Sequence, residues 1–316
     1  MKIVIIGAGG RVGAALMREY RRKFEVTGFN HAQLDLSNRD QIRERVGTAS
    51  FDVLINTAAF TNVDLCETQR ERAFHINAEA PRMLAEICRD KAAKLIHFST
   101  DYVFDGKKRE PYTEEDEANP ISVYGESKRA GEENVLAAKG RHLVVRVSWV
   151  FGPDRPSFVD ALIKRAQENE RVDAIADKFS SPTYTYDIAE MLVVAGIGDP
   201  GGNVEATVGN GTQPGVTDPG YNAASDYNGI LHFANTGECS WQEYGQWALD
   251  CCRAFGVPIK AKTVDPLEIK NMATWVARRP VYSVLSCAKY SESTGASPRA
   301  WRDAVADYIR RAYSKK

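Results

Sequence analysis

The residues of this chain best equipped for chemistry are a hydroxyl cluster and a tyrosine–lysine pair. Ser99-Thr100-Asp101-Tyr102-Val103-Phe104-Asp105-Gly106 puts hydroxyls at the end of a predicted strand. Tyr124-Gly125-Glu126-Ser127-Lys128 then sets a phenol and an amine four residues apart, on one face of a predicted helix. Thr100 and Tyr124 can grip a carbonyl oxygen, and Tyr124 can protonate it. A free phenol titrates at about 10. A neighbouring Lys128 ammonium is expected to lower that value by favouring the phenolate. A Tyr and Lys sharing a helix face can equally decorate a surface, so the reading needs a hydride donor close by.

The N-terminus offers a site for one. Lys2-Ile3-Val4-Ile5-Ile6 reads as a buried parallel strand. It enters Gly7-Ala8-Gly9-Gly10-Arg11-Val12-Gly13, and the good helix formers Ala14 to Tyr20 follow. Strand, glycine turn and helix in that order is the setting of a dinucleotide fingerprint. Glycines permit a tight turn and close approach of a pyrophosphate, which the N–H groups of the first helical turn then bind. Here the glycines recur at 7, 10 and 13.

The elements that must position these groups alternate. Further strands are predicted at Phe24–Phe29, Asp52–Asn56, Lys94–Phe98 and Leu143–Val147. Helices are predicted from about Asn38 to Val46, with Ser37 as N-cap, and from Ala73 to Lys91. Strands separated by helix-sized crossovers predict an α/β, doubly wound parallel sheet, whose ligands lie beyond the C-terminal strand ends. Gly7 to Gly13, Asn56 to Phe60 and Ser99 to Asp101 all fall at such ends. The expected organisation is a dinucleotide domain over 1–150 and a smaller α/β substrate domain over 151–316, some of whose segments could return to the first. After Gly152 strands become sparse. A Gly/Pro/Asn-rich stretch at about 198–229 reads as an insertion, with a lid over the substrate or an assembly contact as the alternatives. Beyond it come a strand near Leu231–Phe233, a helix from Trp241 to Phe255, and a terminal helix from Pro298 to Ala312 capped by Ser297.

Composition bounds the function. The chain has 316 residues, of which 43% are hydrophobic. Lys and Arg number 41 against 42 Asp and Glu. That balance argues against nucleic acid as a partner. No apolar run has membrane-spanning length, and the N-terminal run is too short for a signal peptide, so a cytoplasmic protein is expected. Six cysteines show no metal spacing and read as buried free thiols. His75, His97, His142 and His232 read as structural, and no metal site is expected.

These motifs carry a resemblance. The chain resembles the extended short-chain dehydrogenase/reductases, and within them the dTDP-4-dehydrorhamnose reductase family. The carriers are Gly7-x-x-Gly10-x-x-Gly13, Asn56 to Asp64, Ser99 to Gly106, Pro111-Tyr112-x-Glu114-x-Asp116 and Tyr124-Gly125-x-Ser127-Lys128-x-x-Gly131-Glu132. Further on come Arg146-x-Ser148-Trp149-Val150-Phe151-Gly152, Ser181-Pro182-Thr183 and Arg279-Pro280. The resemblance implies a Rossmann domain, with the cofactor along Gly7, Gly10, Arg11, Val12, Gly13, Asn30, Asp35, Leu36, Ala58, Ala59 and Phe60. Tyr124, Lys128 and Thr100 stand as the catalytic residues, Lys128 also reaching the nicotinamide ribose. Thr100, Asp101, Trp149 and Arg279 stand as substrate contacts. Each has a plainer reading: Asp35 could support a helix start through Ser37, Trp149 could be core, and Arg279 a solvated arginine instead of a pyrophosphate ligand.

An NAD site usually carries an acidic residue just after the second strand. Phe29-Asn30-His31 has none, and Arg11 could approach a 2′-phosphate, so NADPH is expected to be preferred with NADH usable. The resemblance implies reduction of dTDP-4-dehydro-β-L-rhamnose. The alternatives are another nucleotide-4-ketosugar, such as a UDP-linked one, and a non-catalytic regulatory subunit like the β subunit of methionine adenosyltransferase. The Arg146 to Gly152 block is reductase-like and separates the last of these. The resemblance allows both monomers and metal-assisted homodimers, and no carboxylate cluster here commits the chain to the latter.

Overall fold

The computed structural model describes residues 1–197, 227–272 and 274–314. The expected insertion at 198–229 lies outside these as far as residue 226. Six parallel strands form the main sheet: β1 (Lys2–Ile6), β2 (Glu25–Phe29), β3 (Val53–Asn56), β4 (Lys94–Thr100), β5 (His142–Val147) and β6 (Gly229–Phe233). Their order across the sheet is β6-β5-β4-β3-β1-β2. Strand order reverses between β1 and β3, and a crevice opens at such a reversal.

Alternate residues of each strand serve opposite layers. Ile3, Ile5, Ile55, Ile96 and Val145 pack on one face with Leu16 and Met17 of helix α1 (Arg11–Tyr20) and with Ile188 and Leu192. Val4, Ile6, Leu54, Leu95 and Val144 pack on the other with Leu36, Ile42, Met83 and Leu84. Because both faces are covered, the strands read as continuous apolar runs. A separate core of Phe151, Ile163, Tyr184, Tyr244, Trp301 and Ile309 builds the second lobe. The sheet takes Gly229–Phe233 as its sixth strand, parallel to β5, so the chain returns to the first lobe after leaving it. Among the described residues no helix is long and apolar enough to cross a membrane. All six cysteines are buried and unbridged.

Three helix boundaries differ from expectation. Asn38, not Ser37, caps the second helix: its side chain accepts from Asp40 N and Gln41 N, while Ser37 turns its hydroxyl to Asp35. That helix is one short α turn, Arg39–Gln41, widening into a π turn, Ile42–Val46. The helix predicted from Ala73 starts earlier, at Arg70, and carries a π turn at His75–Glu79 before Ala80–Asp90. The terminal helix begins at Trp301, not after Ser297. Thr236 N donates to Arg299 O and Trp301 N to Thr236 O, and this pairing holds 299–300 out of the helix.

Helix α2 (Val123–Ala137), which carries Tyr124 and Lys128, is seated by two close backbone approaches. A Cβ on Gly131 would stand 2.1 Å from Asn77 O, and one on Gly125 2.2 Å from Tyr102 O. Both neighbours are backbone carbonyls that cannot rotate aside. Gly131→Ala is therefore expected to cost about 1–3 kcal/mol of unfolding free energy. Urea denaturation measures it, and a loss below about 0.5 kcal/mol would refute the tight seating.

Candidate active site

A cleft of about 1020 Å³ runs along the carboxyl ends of β1, β3 and β4. Its size suits a dinucleotide with a second ligand beside it. Gly7 turns at φ +82°, a conformation glycine adopts without strain. Gly13 lies behind the turn, where a Cβ would meet Gly7 O at 2.2 Å, so it sets the packing of α1 instead of lining the cleft. Gly10 caps α1 without a side chain, and the first N–H groups of a helix have no intrahelical partner. The turn therefore fits a pyrophosphate. Gly7, Gly10, Arg11, Val12, Asn30, Asp35, Leu36, Ala58, Ala59 and Phe60 all line the cleft, as do Thr100, Asp101, Tyr124, Lys128 and Trp149.

The chemical end is held by a buried polar chain. Asn77 clasps Phe60, accepting from its N–H at 2.8 Å and donating to its carbonyl at 3.0 Å; it also donates to Ser127 Oγ. Ala58 N donates to Asn56 Oδ1, so the Asn56 amide turns Nδ2 toward His97 Nδ1 at 3.1 Å. These bonds assign the His97 proton to Nε2, which faces Lys128 Nζ at 3.3 Å. That contact is a hydrogen bond only when Lys128 is a neutral amine. Burial pushes Lys128 the same way, down to about 8. Lys128 Nζ also donates to Phe98 O at 2.6 Å. His97 is thus part of the site, beyond its expected structural role; its strand position alone gave no sign of this.

Tyr124 corrects one expectation. Burial raises its pKa well above that of a free phenol, the Asp101 carboxylate adds to the rise, and the hydrogen bond with Thr100 opposes it. The downward pull expected from Lys128 is not among these effects. Tyr124 therefore stays a phenol across the neutral range, which is the proton-donating form. Thr100 Oγ1 lies beside it, donating to Asp101 Oδ1 at 3.1 Å and accepting from Tyr102 N at 3.2 Å.

Asp101 is 2% exposed and ties four segments together. Besides Thr100, its carboxylate accepts from Ser148 Oγ at 3.2 Å, Ser180 Oγ at 3.2 Å and Ser283 Oγ at 2.5 Å. Trp149 lines the cleft with its backbone at φ +39°, a strained value for a bulky residue.

Two arginines depart from expectation. The Arg11 guanidinium donates to the carbonyls of Arg155 and Pro156, so its fork is engaged by that loop. Arg155, which sequence reasoning missed, donates to Gly9 O at 2.9 Å and lines the cleft with Asn30, His31 and Arg72. Arg279 lies outside the cleft lining. It makes a two-pronged bond to Asp64, at 3.2 and 2.7 Å, and its guanidinium stacks 3.8 Å from the Trp275 ring centre. Asp64 also accepts from Val276 N and Ala277 N, which closes a latch between the lobes. Asp35 combines both of its readings: it lines the cleft while Oδ1 accepts from Ser37 N and Oγ.

The family whose description is RmlD substrate binding domain matches residues 1–197 and 217–314. The chain belongs to this family. It is an oxidoreductase of the family with an NAD(P)-type Rossmann fold. It is 37% identical over 316 residues to the dTDP-4-dehydrorhamnose reductase of Mycolicibacterium smegmatis, spanning 98% of this chain and 85% of that protein. It is 31% identical to the spore coat polysaccharide biosynthesis protein SpsK of Bacillus subtilis, spanning 98% and 96%. A crystal structure of dTDP-4-dehydrorhamnose reductase from Bacillus anthracis in complex with NADP superposes with a TM-score of 0.83. It is 28% identical, covering 98% of this chain and 99% of that one. The family match pauses at 198–216, within the Gly/Pro-rich stretch.

Lys128 gives this site a pH signature. Its amine is held at about 8 against 10.5 unfolded, so between these values the unfolded chain binds more protons and stability rises with pH. From pH 7.5 to 10 the wild type should gain about 2 kcal/mol relative to Lys128→Met, read from denaturant titrations at both pH values. A difference between the two proteins that does not change with pH would contradict the burial of this charge.

Proposed function

We propose that this protein reduces the 4-keto group of a nucleotide sugar. The substrate we favour is dTDP-4-dehydro-β-L-rhamnose, giving dTDP-β-L-rhamnose. The observation that carries the reading is the Thr100–Tyr124 hydroxyl pair, set in the same cleft as the glycine turn. Relatives named dTDP-4-dehydrorhamnose reductase support the substrate. Gly7, Gly10 and the first turn of α1 would hold the cofactor's pyrophosphate, and Ala58 to Phe60 would lie along it. When bound, the nicotinamide supplies the hydride to the carbonyl carbon. Thr100 and Tyr124 orient the carbonyl oxygen, and Tyr124, kept a phenol by burial, passes its proton to that oxygen. Lys128 is held by Phe98 O where it can meet the ribose and help restore the tyrosine proton.

NADPH oxidation by the full chain with the dTDP-linked 4-ketosugar tests this. Tyr124→Phe should lower kcat by at least about a hundredfold. No turnover by the intact protein, or full turnover by the variant, would overturn the reading.

We also propose that NADPH is preferred. Asn30 and His31 directly follow β2 and bring no carboxylate of their own, and Arg155 and Arg72 line the cleft with them. Arg155, in place of Arg11, is then the residue for the 2′-phosphate, because the Arg11 fork is engaged by backbone carbonyls. Arg155→Ala should raise the KM for NADPH at least about tenfold and leave that for NADH within about twofold. Equal changes for the two cofactors would refute the assignment.

A further inference from the structure

Lys178 is fully buried, yet its Nζ has no hydrogen-bond partner among the described residues. The ammonium sits between two aromatic rings, 5.4 Å from the centre of Tyr102 and 5.4 Å from that of Trp149. Both of those residues line the cleft. The Trp149 indole Nε1–H is likewise buried and without an acceptor. Two unpaired donors thus lie buried at the rings of Tyr102 and Trp149, and the Asp101 carboxylate is close enough to act on the lysine's charge. A buried donor left unpaired is costly, so such pairs are retained where something else satisfies them. The covering indole hangs from the strained Trp149 backbone, and strain of this kind collects where a ligand contact is made.

The local charges say which acceptor fits. Lys178 feels the Asp101 carboxylate, and the nearby Arg279 is clamped by Asp64. The cations here are balanced, so the site lacks the surplus charge that a phosphate seeks. The Asp101 carboxylate is itself occupied by Thr100, Ser148, Ser180 and Ser283. What the floor lacks is neutral acceptor oxygens, and a hexose brings several.

We propose that Lys178 is a substrate-binding, specificity-determining residue. Together with the Trp149 indole N–H it donates hydrogen bonds to hydroxyl or ring oxygens of the sugar, reached when the indole turns aside. The proposal rests on the reading of the protein as a nucleotide-ketosugar reductase.

The test is steady-state kinetics of the full chain with NADPH and dTDP-4-dehydro-β-L-rhamnose, for wild type, Lys178→Met and Lys178→Gln. Inhibition by dTDP-β-L-rhamnose and by dTDP alone is measured beside it. In Lys178→Met the ketosugar KM should rise at least about tenfold and the KM for NADPH should stay within about twofold. Inhibition by dTDP-β-L-rhamnose should weaken in parallel while inhibition by dTDP holds. Lys178→Gln, which keeps N–H donors, should recover part of the loss. An unchanged ketosugar KM overturns the proposal, as does equal weakening by dTDP, which would mark a phosphate contact. Parallel loss of NADPH binding and melting temperature without rescue by Gln overturns it too, because that is the pattern of a purely structural lysine. If wild type fails to turn over the ketosugar, the functional reading falls and this proposal with it. Wild-type turnover with an indifferent Lys178→Met sinks only the lysine.

Discussion

The Asp101 carboxylate is the contact on which the architecture of the cleft depends. It is buried under the site and draws hydroxyl donors from the end of β4, from the residue after β5, and from two segments of the second lobe. A buried carboxylate is tolerated only when its oxygens are satisfied by such donors. The same requirement fixes where the serines can lie, and so how the second lobe meets the sheet. Thr100 takes its orientation from Asp101, and the Tyr124 phenol lies beside the Thr100 hydroxyl. The acid end of the site is therefore a consequence of burying one charge.

Helix α2 supplies the second half of the arrangement. Gly125 and Gly131 let it touch neighbouring backbone, which leaves its side chains little freedom to drift. Glu132, one turn beyond Lys128, forms a two-pronged ion pair with Arg146 of β5 at 2.9 and 2.6 Å, and both residues are 3% exposed. Such a pair adds little net stability but ties the helix to one register on the sheet. Lys128 is then carried to His97 and Phe98 O by a helix that cannot slide.

The sequence made the first lobe legible because its strands are apolar runs closed by glycine or polar clusters, and such patterns are local. The Tyr124–Lys128 pair and the glycine turn were legible for the same reason. What escaped were features created only by assembly. Arg155 and Lys178 belong to no motif; the first is defined by its approach to Gly9 O and the second by two rings from distant segments. The Tyr124 shift runs opposite to the expectation because helix spacing says nothing of burial, and the Lys128 amine points at Phe98 O. Arg279 reads as a free cation until Asp64 is seen to meet it. Ser37 and Ser297 are good caps by type, but a neighbouring Asn38 and the Thr236 bridge decide where those helices begin.

The sixth strand carries a consequence for how the protein is made. β6 pairs with β5 only after the chain between Ser148 and Asn228 has been synthesised. Until then β5, an apolar strand buried along most of its length in the finished fold, ends the sheet as an open edge. Open apolar edges recruit other strands, and distant pairing partners are slow to find. A growing chain would thus pass through an interval in which its nucleotide-binding half is folded yet adhesive. Emergence of residues 229–233 from the ribosome ends that interval.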